Sequence, residues 1–429
     1  MESFVIFLAV MLVLIIFGIP IAYSIALGTL AMMVSAGMTD VPISIVAQKM
    51  YTGIDSFPLL AVPLYMLAGN LMERGGMSER LVKLLSIVFG KVSGGLAMVS
   101  IAGCMFFSGI SGAATADVAA IGGVTLPMMK KKGYPMDYAA AAVSTAGVTG
   151  PLIPPSIQMV IYSVTCGVSI GWLFVAGFVP GILVGVGLLV VAYFQAKKLG
   201  LQPDNIVYSK QEVWTAFKES FLTLLAPIFI IGAIVSGVFT ATEAAAVAIV
   251  YSFILGKFVY KELSWNDIGE LIVSAMVAAS TVMLLVAASA LTAWMVAYVQ
   301  LPAAISVFFA DLTSSPLVLL IILNVFLFFW GMIMDITPAI MLLGPILIPL
   351  LSRYGIGLDY FGIIMITNLS IGLVTPPVGT VLYVVSNIAG EKPLKVAKAA
   401  IPFILIMIIV LLLMVLFPDI VYFIPNLFF

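Results

Sequence analysis

The residues with the clearest chemical potential are small polar side chains and glycines that interrupt two otherwise apolar stretches. Oxygen atoms of hydroxyls, carboxylates and freed backbone carbonyls are ligands for hard cations, and glycine lets the backbone approach an ion closely. We therefore predict two Na⁺ sites, one in each stretch. The first set is Ser108, Gly109, Ser111, Gly147, Gly150 and Pro151, and the second is Gly331, Asp335, Gly372, Thr375 and Pro376.

The two sets belong to an internal repeat. The stretch from Phe106 to Pro155 recurs, without a gap, 222 positions later between Phe328 and Pro377. The shared residue types are mostly Gly, Pro, Thr and Asp, which set backbone shape, whereas a generic apolar similarity would match Leu and Val. A single glycine or serine in such a segment is often there only to let helices pack closely. Paired sets with prolines at the same offset favour a binding site instead.

The composition is that of a membrane protein. The chain has 429 residues, of which 63% are hydrophobic and 9% are charged, and its net charge is −1. Apolar runs long enough to cross a hydrocarbon core of about 30 Å recur from end to end. Because the charge is balanced, nothing indicates a nucleic-acid partner. The chain contains no histidine, the commonest metal ligand and proton relay.

Each repeat predicts a re-entrant hairpin followed by a helix that is broken at its centre. Residues 94–129 and 316–351 are apolar but interrupted by Gly, Ser, Thr and Asp, and each arm of about 14 residues is too short to cross alone. Residues 137–165 and 359–385 are long enough to cross, but each carries two central prolines that remove amide donors and unwind the helix. Unwound backbone in a bilayer must be buried in protein or line a cavity.

Carboxylates inside apolar segments are costly and usually functional. Asp335 lies close to the predicted tip of the second hairpin, four residues after Gly331. Asp117 lies further along the first hairpin and aligns with Ala339, so we expect it to cap a helix or to pair. Glu243, near the end of another span, is expected to be structural or to lie at a subunit interface.

A second group of polar side chains consists of candidate contacts for a bound substrate. Half-helix N-termini direct amide donors inward, which suits a carboxylate, while hydroxyl and amide groups can complete its coordination. The candidates are Ser111, Thr149, Ser156, Asp335, Thr337 and Asn368.

Hydrophobic segments divide the chain into two similar halves, each with three spans, one hairpin and two further spans. The polar stretches 40–56 and 259–270 are predicted to lie along the membrane interface. The resulting regions are 1–93 (scaffold spans and interfacial helices), 94–171 (first transport core), 172–298 (connecting span, loop and second scaffold), 299–390 (second transport core) and 391–429 (terminal span).

Five crossings per half is an odd number, so the halves must have opposite orientations. Lys130–Lys132 follows the first hairpin, whereas the equivalent place in the second half has only Arg353. By the positive-inside rule the lysine-rich side is cytoplasmic, and both termini are then periplasmic. The predicted fold is an all-α polytopic membrane protein with two inverted repeats, each containing a re-entrant hairpin and a broken transmembrane helix.

Inverted repeats with broken helices are typical of secondary transporters. An ion channel is an alternative, because water and glycerol channels also have opposed re-entrant hairpins, although their Asn-Pro-Ala motif is missing here. A stand-alone Na⁺-coupled carboxylate symporter is a closer alternative. An enzyme is disfavoured, because no nucleophile and base are evident and histidine is lacking.

Three motifs resemble a known family. Gly109-Ile110-Ser111-Gly112-Ala113-Ala114-Thr115-Ala116-Asp117, Gly150-Pro151-Leu152-Ile153-Pro154-Pro155-Ser156 and Thr375-Pro376-Pro377-Val378-Gly379 are similar to the hairpin and the helix breaks of TRAP (tripartite ATP-independent periplasmic) transporter large membrane subunits. The resemblance extends over essentially the whole chain.

The resemblance implies a bacterial inner-membrane complex. The partners would be a small four-helix membrane subunit and a periplasmic substrate-binding protein, and the substrate an organic acid such as sialic acid or a C4-dicarboxylate. It also implies uptake driven by Na⁺ without ATP, with the two cores moving together as an elevator against the scaffold. The sequence contains no Walker A pattern.

Overall fold

The computed structural model describes residues 2–38, 42–203 and 209–428, and within these ranges the regular structure is entirely helical. Asp40, at the start of the predicted interfacial stretch 40–56, lies outside the described residues. The first half contains α1 (Glu2–Ile16), α2 (Ile21–Ser35), α3 (Ile43–Ile54), α4 (Ala61–Arg74), α5 (Met77–Phe89), α6 (Gly95–Ser111), α7 (Ala114–Lys131), α8 (Met136–Ala146), α9 (Ile157–Cys166) and α10 (Ile170–Lys198).

The second half repeats this order. It contains α11 (Lys210–Val235), α12 (Ala241–Ile254), α13 (Trp265–Tyr298), α14 (Leu301–Leu312), α15 (Pro316–Ile333), α16 (Ile336–Arg353), α17 (Leu358–Gly372), α18 (Thr380–Ala389) and α19 (Pro393–Leu416), followed by the short α20 (Asp419–Tyr422) and α21 (Pro425–Phe428). Seven helices of the described chain are long and apolar enough to cross a membrane, namely α10, α11, α12 with its π-helical extension, α13, α15, α16 and α19.

The repeat seen in the sequence is also a repeat of helices. Hairpin 1 (α6 and α7) corresponds to hairpin 2 (α15 and α16), and the broken helix α8–α9 corresponds to α17–α18. After the 222-position shift, the starts of α6 to α10 agree with those of α15 to α19 to within one residue. The predicted fold class is therefore confirmed.

Matching hydrogen bonds fix the two broken helices in the same way. Tyr138 Oη donates to the carbonyl of Ala192 at 2.8 Å, and its repeat counterpart Tyr360 donates to the carbonyl of Met414 at 2.9 Å. Both tyrosines are buried. Each bond ties the first half of a broken helix to the span that follows it.

The hairpins and the broken helices form one interlocked core. Half-helix α9 packs against α16 of the other repeat, and α18 packs symmetrically against α7. Long spans α10 and α19 pack against each other and against α8. Both helix breaks are therefore enclosed by elements from the two repeats.

A scaffold flanks this core. Helix α4 packs on α12, and the corresponding pair is α13 on α2. Helix α3 meets the segment 57–74 at a bend of 67°. Glu243 caps the start of α12, where its carboxylate accepts a hydrogen bond from the Thr240 amide at 2.8 Å, so its role is structural as expected.

The prediction of a separate interfacial piece at 259–270 is wrong at its C-terminal end. A π-turn at Leu255–Val259 is followed by α13, which begins at Trp265 and runs for 34 residues without a bend. The first repeat bends at its equivalent position because Pro58 stands there, whereas the second repeat has Ser280. The straight helix is about 51 Å long and extends beyond the hydrocarbon layer.

The hairpin arms are longer than the 14 residues expected. Helix α6 has 17 residues, and α7, α15 and α16 have 18 each. Ser108, Gly109 and Ser111 are predicted to form the first tip, but α6 continues through these residues to Ser111. The chain reverses only at Gly112, whose φ of +62° a residue with a side chain rarely adopts.

Candidate functional site

At the tip of hairpin 1 a carboxylate is enclosed by hydroxyl groups. Asp117 lies in the first turn of α7 and is fully buried. Ser108 Oγ donates to Asp117 Oδ2 at 2.7 Å, and Ser111 Oγ donates to Asp117 Oδ1. Both serines lie on the last turn of α6, so these bonds join the two arms of the hairpin.

The first helix break completes this cluster. Thr149 Oγ1, in the 3₁₀ turn that follows α8, lies 3.3 Å from Ser108 Oγ. A Cβ on Gly150 would lie only 2.5 Å from Asp117 Oδ2, so only glycine allows this approach. The amide of Ile157 donates to the carbonyl of Gly112 at 3.3 Å, which ties the hairpin tip to the start of α9. The tip and the break therefore form one site.

The chemistry of this site fits a hard monovalent cation. Its donors are one carboxylate and the hydroxyls of Ser108, Ser111 and Thr149, which are oxygen ligands. Across the described ranges, no group of three or more His, Cys, Asp or Glu residues could hold a metal ion. A Na⁺ ion at this site would therefore be held by hydroxyl oxygens and a single carboxylate.

The other predicted members of the first set support the site without facing Asp117. Gly109 faces the scaffold, where a Cβ would lie 2.8 Å from Pro227 Cβ. Gly147 packs against Val118 of hairpin 1. The carbonyl of Pro151 accepts a hydrogen bond from Ser156 Oγ at 2.7 Å. Since Ser156 also caps α9, its hydroxyl is already engaged in holding the break.

At the second tip, the hairpin and the helix break are in contact through the backbones of two glycines, Gly331 and Gly372. A Cβ on Gly372 would lie 2.4 Å from the carbonyl carbon of Gly331. The amide of Val378 donates to the carbonyl of Met332 at 3.1 Å, which parallels the bond between tip and break in the first repeat. Pro376 lies within this break, and Thr375 Oγ1 donates back to the carbonyl of Ile371 at 2.8 Å.

Polar side chains at the second tip make fewer hydrogen bonds than those at the first. Asp335 is the N-cap of α16, and its carboxylate accepts a hydrogen bond from the Ile336 amide at 2.6 Å, the only side-chain hydrogen bond of Asp335 among the described residues. Thr337 is buried, and its hydroxyl has no partner in the same ranges. Thr380, directly after the break, has a fully buried hydroxyl without a partner among the described residues. These oxygens are available to a ligand.

Asn368 lies between helices rather than beside these groups. Its Nδ2 donates at 2.8 Å both to the carbonyl and to the side-chain oxygen of Asn324, and so joins α17 to α15. Asn368 Oδ1 is buried without a partner in the described part of the chain. The repeat counterparts are Ala102 and Ala146, so this asparagine pair occurs only in the second half.

Two residues of these clusters were not among the predicted site residues. Asp117 was expected to cap or pair, and the structure shows it at the centre of the first cluster. Its spacing from Ser108 and Ser111 could have revealed this, because a tight hairpin brings those positions together. Asn324 had no signal except that it is an amide within a long apolar run.

Comparisons with known proteins agree with the predicted family. A family model described as "Tripartite ATP-independent periplasmic transporter, DctM component" matches residues 8–420. The chain is 38% identical over 416 residues to the 2,3-diketo-L-gulonate TRAP transporter large permease protein of Escherichia coli K12, covering 97% of each chain. It is also 38% identical over 412 residues to the sialic acid TRAP transporter large permease protein of Vibrio cholerae, covering 96% of each.

A solved structure shares the fold. The YdaH transporter of Alcanivorax borkumensis superposes with a TM-score of 0.56 at 14% identity, over 89% of this chain and 88% of that one. The crystal structure is described as having an unusual topology. At this identity the likeness supports the architecture alone.

The close approach of the second tip to its break can be tested with alanine. Gly372→Ala should push hairpin 2 away from the break, because its Cβ would collide with the backbone of Gly331. We expect a loss of stability of about 1–3 kcal/mol, measured by thermal unfolding of the purified protein. The matched control is Gly232→Ala in α11, where a Cβ meets nothing within 4 Å. Equal stability of the two variants would contradict the proposed contact.

Proposed function

The chain belongs to the DctM component of the tripartite ATP-independent periplasmic transporters, and from this membership we propose that it imports an organic acid by coupling to Na⁺. The substrate would be delivered by a periplasmic binding protein, and a small four-helix membrane subunit would complete the complex. The relatives named for 2,3-diketo-L-gulonate and sialic acid support a carboxylated substrate. Sialic acid and C4-dicarboxylates are the two candidate classes.

One observation carries the proposal of Na⁺ coupling: both hairpin tips are hydrogen-bonded to helix breaks at corresponding places in the two repeats. A break within an apolar layer exposes carbonyl groups, and half-helix ends direct partial charges inward. Two such places, each with uncharged oxygen ligands and one carboxylate nearby, suit two small cations. We propose that Asp117 and Asp335 supply the negative charge at these two places.

The side chains at the two tips would have different roles. The hydroxyls of Ser108, Ser111 and Thr149 would turn their lone pairs toward the cation, while Asp117 balances its charge. Bound Na⁺ would supply only positive charge, which compensates the carboxylate and holds tip and break together. At the second tip the unengaged hydroxyl of Thr337 is the best-placed candidate contact for the organic acid. The organic acid would therefore bind more tightly when both hairpin tips hold Na⁺.

An elevator motion is supported by the surface between core and scaffold. At two places where hairpin 1 meets the scaffold, the contact involves a glycine. A Cβ on Gly69 of α4 would lie 3.3 Å from Ser111 Cβ, and Gly109 faces Pro227 of α11. Small side chains make a smooth contact without interlocking. We propose that the core slides along this surface and carries its sites from one side of the membrane to the other.

The proposed location is the bacterial inner membrane with both termini periplasmic. Lys395, before the last span, lies 3.8 Å from Asp137 at the start of α8, so these two helix starts share one side of the protein. Lys130 and Lys131 end hairpin 1 close to the start of α8. We propose that this lysine-rich side faces the cytoplasm.

Labelling tests the orientation. In intact cells, Lys131→Cys should resist a membrane-impermeant maleimide, whereas Ser314→Cys, between α14 and α15, should react. The natural Cys104 and Cys166 are buried and give a low background. Labelling of the first variant but not of the second would reverse the proposed orientation.

Uptake into proteoliposomes tests the function. The complex with its small subunit should accumulate an organic acid only with an inward Na⁺ gradient and the binding protein. Ser108→Ala and Ser111→Ala should each raise the Na⁺ concentration for half-maximal uptake by about twofold to tenfold, since each removes an oxygen ligand. The control is Ser280→Ala, an exposed hydroxyl on α13.

The outcomes separate the alternatives. Uptake with Na⁺ but without the binding protein would favour a stand-alone symporter. Flux that needs no gradient would favour a channel and would contradict the roles given to both tips.

A further inference from the structure

Eight exposed lysines lie at one end of the core, and we call them the lysine rim. They are found at the end of α7, at the end of α10 and around the start of α19, and they are Lys130, Lys131, Lys132, Lys197, Lys198, Lys392, Lys395 and Lys398. Two acids, Asp137 and Glu391, lie in the same segments, so the net charge of this end is +6.

The first turn of α8 brings the three helix ends together. Tyr138 Oη donates to the carbonyl of Ala192, close to the end of α10, at 2.8 Å. Lys395 Nζ lies 3.8 Å from Asp137 Oδ2, and the ring of Phe403 on α19 has its centre 6.3 Å from that of Tyr138. Only four residues separate the end of α7 from the start of α8. The lysine rim is therefore one surface rather than three separate groups.

The two acids do not neutralise this surface. Both pair with the same lysine, since Lys395 Nζ lies 3.3 Å from Glu391 Oε1 and 3.8 Å from Asp137 Oδ2. Six other lysines form no ion pair in the part of the chain that the structure describes, namely Lys130, Lys131, Lys197, Lys198, Lys392 and Lys398. Like charges on one surface repel one another, so an anion that lies between them is favoured.

The scaffold differs on the same side of the protein. It lies beside the end of α7 there, since Val124 and Met128 of α7 line a cleft together with Lys83 and Glu212. The charged segments of the scaffold on this side are 73–91, 210–219 and 257–270, and they contain eight basic and seven acidic residues. Within the described ranges, the net positive charge of this side is thus carried almost entirely by the core.

The other end of the core lacks such a surface. The repeat counterpart of Lys131 is Arg353, and that of Lys197 is Asp419. The counterpart of the segment 391–398 is 169–176, which contains no charged residue. Arg353, Asp359 and Asp419 together give that end a net charge of −1. Positive charge on one side is common to membrane proteins, but its confinement to the core is a feature of this chain.

Exposed apolar side chains stand directly beside the lysines. Phe194, near the end of α10, is 63% exposed, and Leu199, which follows Lys198, is also exposed. Leu394, in the first turn of α19, is 63% exposed. A phosphate headgroup with attached acyl chains matches this combination of charge and apolar surface, whereas a soluble anion makes no use of the apolar side chains.

From these features we propose that the lysine rim is a binding surface for anionic phospholipid headgroups, and that this surface belongs to the core and not to the scaffold. The ammonium groups would contact the lipid phosphates, while Phe194, Leu199 and Leu394 would contact the adjoining acyl chains. If the core moves as proposed above, the lipids bind to the moving part of the protein, and that link rests on the proposed function. The binding itself does not depend on Na⁺ coupling.

Lipid titration tests this proposal. The purified complex with its small subunit, in dodecyl maltoside, is titrated with dioctanoyl phosphatidylglycerol and with dioctanoyl phosphatidylcholine, and binding is followed by microscale thermophoresis. Phosphatidylglycerol should bind at least about threefold more tightly. Choline chloride added at constant Na⁺ should reduce this preference, because salt screens exposed charges. Glycerol 1-phosphate, which has no acyl chains, should not compete at equal concentration.

Matched charge variants locate the surface. The core variant combines Lys131→Gln, Lys198→Gln and Lys398→Gln, and it should lower the preference for phosphatidylglycerol by about threefold to tenfold. The scaffold control removes the same charge from exposed residues on the same side by combining Lys210→Gln, Lys218→Gln and Lys261→Gln. It should change the preference by less than about twofold. Arginine at the three core positions should retain the preference, since it keeps the charge.

Each outcome bears on one claim. Equal binding of the two lipids, equal effects of the core and scaffold variants, or competition by glycerol 1-phosphate would each overturn the lipid surface. Na⁺-coupled uptake of an organic acid would still stand in those cases. Loss of Na⁺-coupled uptake in the unaltered complex would instead overturn the proposed function and leave the lipid surface intact.

Discussion

A helix broken inside an apolar layer leaves amide and carbonyl groups without partners, and the structure depends on how two such breaks are satisfied. No water is available in the hydrocarbon to hydrogen-bond these groups. The solution is the same in both repeats: a hairpin folds back so that its tip meets the break. One bond, Ile157 to Gly112, secures the first tip, and the bond from Val378 to Met332 secures the second. The exposed oxygens are thereby concentrated at two places.

The two places are related by the repeat but are not equal. In the first, the carboxylate of Asp117 is inside the hairpin and is held by both serines of the opposite arm. In the second, Asp335 stands at the tip and keeps only a local capping bond. The asparagine pair Asn324 and Asn368 joins α15 to α17, where the first repeat has only alanines. A common backbone thus carries two chemically different sites, as expected if one holds only a cation and the other also meets the substrate.

The sequence predicted the architecture because prolines and glycines constrain the backbone directly. Prolines and glycines at the same offset located both breaks and both hairpins, and the starts of the core helices follow that register. The bend between α3 and the segment 57–74 was harder to predict from the repeat. It depends on one residue, Pro58, and the second repeat has Ser280 at the equivalent position. Side-chain pairing was harder still. The position of Asp117 depends on where the hairpin turns, and Gly112 rather than Gly109 makes that turn.

The central claim is that each tip and its break hold one Na⁺ and that Asp117 provides the charge for the first. The most direct measurement is titration of the purified, Na⁺-free complex with NaCl by isothermal calorimetry, with choline chloride as the blank. The account predicts saturable binding of about two ions, which falls to about one in Asp117→Asn because the remaining hydroxyls do not compensate the ion's charge. Absence of saturable Na⁺ binding, or an unchanged stoichiometry and affinity in Asp117→Asn, would contradict it.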